Sequence, residues 1–337
     1  MSKRLGMALV GLGAATQPHL RSLQDLTDRI DLRYAVTRHP GPDRVQPYIG
    51  PVRLVSALDE VLNDPQVQAV IVATPPSTHL DICARCFAAG KHVLLEKPLE
   101  LNLERSRQLT ALAQQSGLHL GVVLQHRFRP ASLVLQDVLD SGRLGEIQAA
   151  SVRVPWWRSQ AYYNELGRGT WARDGGGVLL TQAIHTLNLF QALVGVKSVT
   201  ASVVRQTRLH QMETEDHVSA LLVLGKGAPG DLMATTAMYP GFPETIEVIG
   251  TLGSARLSGA DLQVNFLQGE PLTVRNEGGT GSGANMMDFS HEPHRDLLTD
   301  FIDAIVDKRA PKVTGDDALQ THILIDELLR KGQGSSV

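Results

Sequence analysis

Cysteine is almost missing: the 337-residue chain has two, Cys83 and Cys86, so no disulfide framework can staple a secreted scaffold. Both sit in an alanine-rich stretch of helical pattern, where cysteines pack as small hydrophobes; nothing thioredoxin-like surrounds them to make the CxxC a redox pair. A cationic surplus is missing too. Lys and Arg number 32 against 35 Asp and Glu, a formal charge of −3, which argues against a nucleic-acid partner. No apolar run approaches the roughly 18 residues of a membrane helix. The opening MSKRLGMALVGLG passes into a glycine turn and not a cleavage site, so no membrane partner and a cytoplasmic location are expected. No metal is expected, and no internal repeat is visible. The glycine-rich Asn276 to Gly283 lacks the lysine of a Walker loop and reads as a connection.

What is present is a sizeable core. Hydrophobic residues make up 42% and charged residues 20%, the composition of a globular protein without long disorder, and the length predicts two domains. Residues 1–125 alternate short apolar runs with amphipathic stretches, the pattern of an α/β, doubly wound parallel sheet. Strands are predicted at Leu5 to Val10, Leu32 to Val36, Val52 to Val55, Ala69 to Ala73, His92 to Leu95 and Leu118 to Leu124. Helices are predicted at Pro18 to Leu26, Leu58 to Leu62, Ser77 to Ala89 and Leu103 to Ser116, with Gly90 and Gly117 as stop signals. From 126 to 337 the pattern changes to an α+β domain with a largely antiparallel open sheet. One helix, near Pro130 to Leu139, comes before a strand-like run at Ile147 to Val154. Further strand-like runs follow at Val199 to Leu209, His217 to Leu224, Asp231 to Met238 and Thr245 to Ile249. Helices at Val178 to Val194, Pro293 to Lys308 and Asp317 to Leu329 complete this second domain, the last two as C-terminal helices.

Gly11 and Gly13, followed by Ala14, Ala15 and Thr16, lie between the first strand and the first helix, where a dinucleotide-binding turn belongs. The first glycine permits the tight turn and the second lets backbone approach a pyrophosphate, which the helix start attracts without a lysine. Thr16 replaces the third glycine or alanine, so the helix is expected slightly farther out. The second strand ends in Thr37 and Arg38, where an Asp or Glu would accept hydrogen bonds from an NAD ribose. A hydroxyl and a cationic fork suit a 2′-phosphate instead, so NADP is expected over NAD; a solvated surface arginine is the bland alternative.

Two more segments follow strands of the same sheet at their carboxyl ends, where ligands bind in open α/β sheets: Thr74-Pro75-Pro76-Ser77-Thr78-His79 and Glu96-Lys97-Pro98. Pro98 disfavours the α region for Lys97 and gives it an extended exit from the strand. Farther on, His185 lies ten residues after Gly175, and Thr181 falls one helical turn before it. The glycine turn, TPPSTH, EKP and GGGxxxTxxxH, in this order over nearly the whole chain, resemble the Gfo/Idh/MocA family of oxidoreductases. The resemblance implies hydride exchange between nicotinamide and a sugar or cyclitol hydroxyl. Lys97 would act on the hydroxyl proton, Glu96 would support it, and His185 would share the proton transfer. A family Asp commonly stands where Thr181 stands here, so a carboxylate-assisted relay is in doubt. Thr74, Pro75, His79, Glu96, Lys97 and Gln125 are expected beside the cofactor with Gly11, Gly13, Ala14, Ala15, Thr37 and Arg38; His126 is left out of this set.

All three tryptophans and two of the five tyrosines fall between Trp156 and Trp171, interleaved with Arg158, Gln160, Asn164, Arg168 and Thr170. Flat apolar faces among hydrogen-bond donors suit a sugar ring, although the same residues also favour an oligomer interface. RxxxYY and RGTW resemble the family's subgroup for sugars, cyclitols and nucleotide-linked uronates, which implies Arg158, Tyr163, Arg168 and Trp171 as contacts beside Lys97, Thr181 and His185. The arginines point to an acidic substrate. Two alternatives keep the same fold: a catalytically silent NAD(P)-binding regulator, and an NAD-dependent glycoside hydrolase. By analogy, a homodimer or homotetramer forms through the C-terminal sheet.

Overall fold

The computed structural model describes residues 4–13, 16–38, 52–276 and 289–333. It divides into two compact units, Met1–Gln125 with His291–Leu319, and His126–Ser290 with Gln320–Val337.

The first unit holds a six-stranded parallel sheet of β1 (Leu5–Val10), β2 (Ile30–Val36), β3 (Arg53–Val55), β4 (Ala69–Val72), β5 (His92–Leu95) and β6 (Leu120–Val122), in the order β3-β2-β1-β4-β5-β6. The direction of winding reverses between β1 and β4, which makes the crevice beyond their carboxyl ends the ligand position of such a sheet. Every residue of β1 and of β4 is buried. Burial on both faces explains why these strands read as continuous apolar runs and not as alternation. The helix Leu103–Ser116 has the predicted bounds because its ends are chemically marked: the Asn102 side chain accepts from the Arg105 N–H, and Gly117 closes it at φ 68°.

The helix Glu292–Asp307 belongs to this unit and not, as the sequence suggested, to the second domain. Its amphipathic pattern was legible but its docking face was not. Phe301 lies against Gly121 of β6, where an added Cβ would come within 2.8 Å of its ring. Arg29 pairs with Asp303 at 2.5 Å and Asp25 with His291 at 2.8 Å.

The second unit is built on an eight-stranded sheet of β7 (Ile147–Pro155), β8 (Val196–Arg205), β9 (His217–Leu224), β10 (Pro229–Thr235), β11 (Thr245–Gly250), β12 (Gly253–Ser258), β13 (Asp261–Phe266) and β14 (Leu272–Val274). Its order is β14-β13-β12-β11-β7-β10-β9-β8. Only the β7–β10 pair is parallel among the described residues. Val218, Ala220, Leu222 and Leu224 of β9 are buried while Leu221 between them is exposed, the alternation of a sheet with one covered face. Strands β12 to β14 escaped sequence reading: β12 offers only Ala255 and Leu257 as apolar residues, and β14 is three residues long. The stretch Trp171–Val194 is long and apolar enough to cross a membrane by composition, yet 78% of its apolar window is buried; it supplies core to this unit. It begins with the short helix Trp171–Asp174, and after the glycine run one wide π turn, Leu179–Ala183, leads into the α-helix Ile184–Val194.

Candidate active site

The nucleotide turn is shaped by contacts that no side chain could replace. Gly11 has φ +96°, and a Cβ there would lie 2.5 Å from the Ala73 carbonyl oxygen; its N–H donates to the Val36 carbonyl at 3.0 Å. Gly13 faces the other way. It is exposed, and a Cβ there would meet nothing within 4 Å, leaving bare backbone for a phosphate to approach. Thr16 is buried, and its hydroxyl donates to the Gly13 carbonyl at 2.5 Å. The helix Gln17–Asp25 carries Pro18 in its first turn and no acid there, so its positive end is left for an anion. These residues fit a dinucleotide. Ala14 and Ala15 lie outside the described residues. Thr37 is tied by its N–H to the Val55 carbonyl at 3.0 Å, and Arg38 is exposed at the end of β2.

Thr74 and the exposed Pro75 follow β4, with the Thr74 hydroxyl accepting from Thr78 at 2.8 Å. His79 was expected beside the cofactor, and its ring is instead 0% exposed. Nε2 faces the Thr74 carbonyl at 2.9 Å, and Nδ1 faces the Pro98 and Leu99 carbonyls at 3.0 and 3.2 Å. Its polar atoms are spent on tying the two strand-end loops together. Burial lowers its pKa against the pull of these carbonyls. Glu96 is buried as well, one oxygen bonded to His19 Nε2 at 2.7 Å and the other accepting the Lys97 N–H at 3.1 Å. Burial raises its pKa, but the His19 hydrogen bond and the charges of His19, His294 and Lys97 outweigh this and hold it below the usual carboxylate range. Glu96 therefore fixes the backbone of the half-buried Lys97. Gln125 opens a 3₁₀ turn after β6, its Oε1 buried without a hydrogen-bond partner among the described residues.

In the second unit His185 is half-buried on Ile184–Val194. Thr181 donates its hydroxyl to the Gly177 carbonyl at 2.7 Å, a bond within its own helix start. The residue passed over by sequence reasoning is His126, whose ring lies 5.1 Å from that of His185 at 31°. Arg129 donates to His126 Nε2 at 2.7 Å and pairs with Glu244 at 2.5 Å, both largely buried. An arginine can only donate, so His126 Nε2 is the acceptor and Nδ1 carries any hydrogen of the neutral ring. Nothing local in His126-Arg127-Phe128-Arg129 announces a histidine stack.

The aromatic loop is braced from within. Arg158 is 3% exposed, donating from Nε to Gln182 Oε1 at 3.1 Å and from Nη1 to the Trp157 carbonyl at 2.7 Å. The Tyr163 hydroxyl is bonded to Thr236 at 2.7 Å, and burial pushes its pKa up. Neither side chain stands ready as a substrate contact, because a flat residue count cannot tell which face of a loop turns inward. Arg168 stays half-buried over the Tyr162 ring at 4.4 Å and pairs with Glu165, while Trp171 is 45% exposed. His210 anchors the underside between Asp216 at 2.7 Å and the Arg158 carbonyl at 2.8 Å.

A doubly wound parallel sheet headed by a glycine turn, in a chain whose second unit is built on a largely antiparallel sheet, is the architecture of a dinucleotide-binding protein. Residues 5–124 match the oxidoreductase family with an NAD-binding Rossmann fold, and residues 133–256 match the GFO/IDH/MocA C-terminal domain. The chain is 30% identical to the uncharacterized oxidoreductase YhhX of Escherichia coli (strain K12) over 79% of its own length and 76% of that protein's. It is 27% identical to the scyllo-inositol 2-dehydrogenase (NAD(+)) of Bacillus subtilis (strain 168), over 81% of this chain and 78% of the other. Its fold matches the WlbA dehydrogenase of Bordetella pertussis, solved in complex with NADH and UDP-GlcNAcA, with a TM-score of 0.83 at 24% identity over 99% and 98% of the two chains. The chain belongs to the Gfo/Idh/MocA family. It is an oxidoreductase with an NAD(H)-binding Rossmann domain, and dehydrogenation of CH–OH groups is the chemistry of its named relatives.

Proposed function

We propose that this protein is an NADP-preferring dehydrogenase, or the reductase in the reverse direction, acting on a ring hydroxyl of a sugar, cyclitol or sugar acid. The observation that carries the reading is the anchoring of Lys97: a buried carboxylate holds its backbone N–H at the carboxyl end of β5, with Thr74 and Pro75 on the adjacent β4 loop. When bound, the nicotinamide accepts or returns the hydride. Lys97 takes the hydroxyl proton on its neutral amine as the C–H bond breaks and the carbonyl forms, and returns it in reduction. His185 is its partner in handling that proton, and Thr181, which cannot carry charge, orients and does not relay. Gln125 Oε1, buried and without a partner among the described residues, suits an amide donor of the bound cofactor. The half-exposed Trp171 is the substrate contact left available in the aromatic loop, and Arg168 would meet an acidic substrate by exchanging its bonds to Glu165 and the Tyr162 hydroxyl. The scyllo-inositol of one relative and the UDP-GlcNAcA of the WlbA complex support a ring substrate. Exposed Val203, Leu221 and Ile249 on the open face of the second sheet support self-association there.

The test is a screen of polyols, aldoses, ketoses and uronic acids, followed by absorbance of the reduced cofactor. Net reduction with one class confirms the reading. Sugar turnover with no net change in cofactor marks the hydrolase instead, and tight cofactor binding with no turnover of any compound marks the silent regulator.

The cofactor preference rests on Thr37 and Arg38 where an acid would serve NAD. A charge-assisted bond to a 2′-phosphate contributes about 1.5–3 kcal/mol, so NADPH is expected to bind about tenfold or more tightly than NADH. Arg38→Asp should reverse the order of the two dissociation constants. Tighter NADH binding by the unmodified protein overturns the preference.

A further inference from the structure

The π turn that opens the helical segment bearing Thr181 and His185 has no side-chain cap at Val178. Three successive backbone N–H groups are taken instead by one residue far along the chain. Gly177 donates to Glu215 Oε2 at 3.0 Å, Leu179 to Glu215 Oε1 at 3.1 Å, and Val178 to the Glu215 carbonyl at 2.8 Å. Glu215 is 3% exposed, two residues before β9. The fit also explains a glycine of the GGG run. A Cβ at Gly177 would lie 1.8 Å from the Glu215 carbonyl oxygen, and neither backbone can give way. A buried, bidentate carboxylate at a helix start satisfies orphan donors with charge-assisted bonds, an expensive arrangement to keep for packing alone.

We infer that Glu215 is a positioning residue for His185: by holding Gly177 and Leu179 it fixes the rise and rotation of the helix that presents the imidazole about two turns later. The inference rests on the proposed role of His185. Burial pushes the Glu215 carboxyl up to about 7, Asp216 adding to the rise and the bonds from Gly177 and Leu179 opposing it. The groups around it are few. Next to it in the chain Asp216 is the charged neighbour, bonded to His210 and Thr207; two residues before it Glu213 accepts from the Trp171 N–H; from the helix side come the two amides. Above about pH 7 both carboxylate oxygens accept. Below it one becomes a hydroxyl, and one of the two amides loses its acceptor.

Amide hydrogen exchange at Gly177 and Leu179, read by NMR across pH 5.5 to 8.5 (roughly one and a half units either side of the titration), tests the cap in the intact protein. After correction for intrinsic rates, protection of at least one amide should fall about tenfold on the acid side. Glu215→Gln should show the acid-side protection at every pH. Its kcat should fall about tenfold to a hundredfold with the cofactor dissociation constant unchanged and the acid limb of the kcat profile lost. Unaltered protection in Glu215→Gln overturns the inference, as does lost protection with unaltered kcat. If that variant does not fold, the wild-type exchange profile decides: no pH step in either amide sinks the proposal. His185→Ala with full turnover would instead remove the role of His185, while the exchange result would still report the cap.

Discussion

Lys97→Ala is expected to lower kcat by about 10²–10⁴-fold, the usual contribution of a positioned acid–base group, while the dissociation constant of the reduced cofactor changes by less than about twofold. The split follows from what each part of the first unit does. Gly11 and Gly13 form the turn with backbone alone, and Glu96 and His79 fix the two strand-end loops through backbone atoms of Lys97, Pro98, Leu99 and Thr74. The bonds that scaffold these loops run through the Lys97 backbone N–H, and the proposed proton transfer uses its side-chain amine. Lys97→Arg sharpens the result, since a guanidinium keeps the charge and the reach but holds its proton at any working pH. It should be as inactive as the alanine variant. Turnover retained by either variant would remove Lys97 as the acid–base group, and joint loss of turnover and cofactor affinity would show that the loops had collapsed.

The parts of this fold legible in the sequence are those where a local rule and the tertiary outcome agree. Strands β1 and β4 are apolar throughout because helices cover both faces, and Asn102 and Gly117 mark the ends of their helix with cap chemistry. Motif order placed Lys97 and His185 for the same reason: each stands at a strand end or on a helix that its neighbours dictate. What stayed hidden was partnership through space. Phe301 reads as one more apolar residue until Gly121 is seen beneath it, and the helix around it changes unit accordingly. Arg158 and Tyr163 have the right chemistry for sugar, yet Gln182, Trp157 and Thr236 already occupy them. Glu215 and His126 act on the helical segment of His185 from 30 or more residues away in sequence, a separation no spacing rule covers. The two carboxylates of Thr-Glu-Asp-His, set directly before an apolar strand, were the one local signal, since adjacent acids at a buried strand start need partners.

Arg129→Met carries the largest expected loss of stability, because Arg129 and Glu244 form a buried pair at 2.5 Å with side chains 10% and 4% exposed. Removing one partner leaves the other charge without its counter-ion. Such breaks cost about 3–5 kcal/mol, to be read as a lowered urea midpoint of the transition that reports the second unit. Replacing both, as Arg129→Met with Glu244→Leu, should recover most of that loss, since apolar pairs of similar volume often match a buried ion pair. The recovery will be incomplete for a stated reason: Trp156 Nε1 donates to Glu244 at 3.3 Å and Arg129 also bonds the Gly259 carbonyl at 3.1 Å, and those groups lose partners in the double variant. Function should part from stability here. Arg129 also holds the His126 ring, which lies 5.1 Å from that of His185, so kcat should fall in both variants, whether or not stability has been restored. A double variant with recovered stability and unaltered kcat would confine Arg129 to holding the fold.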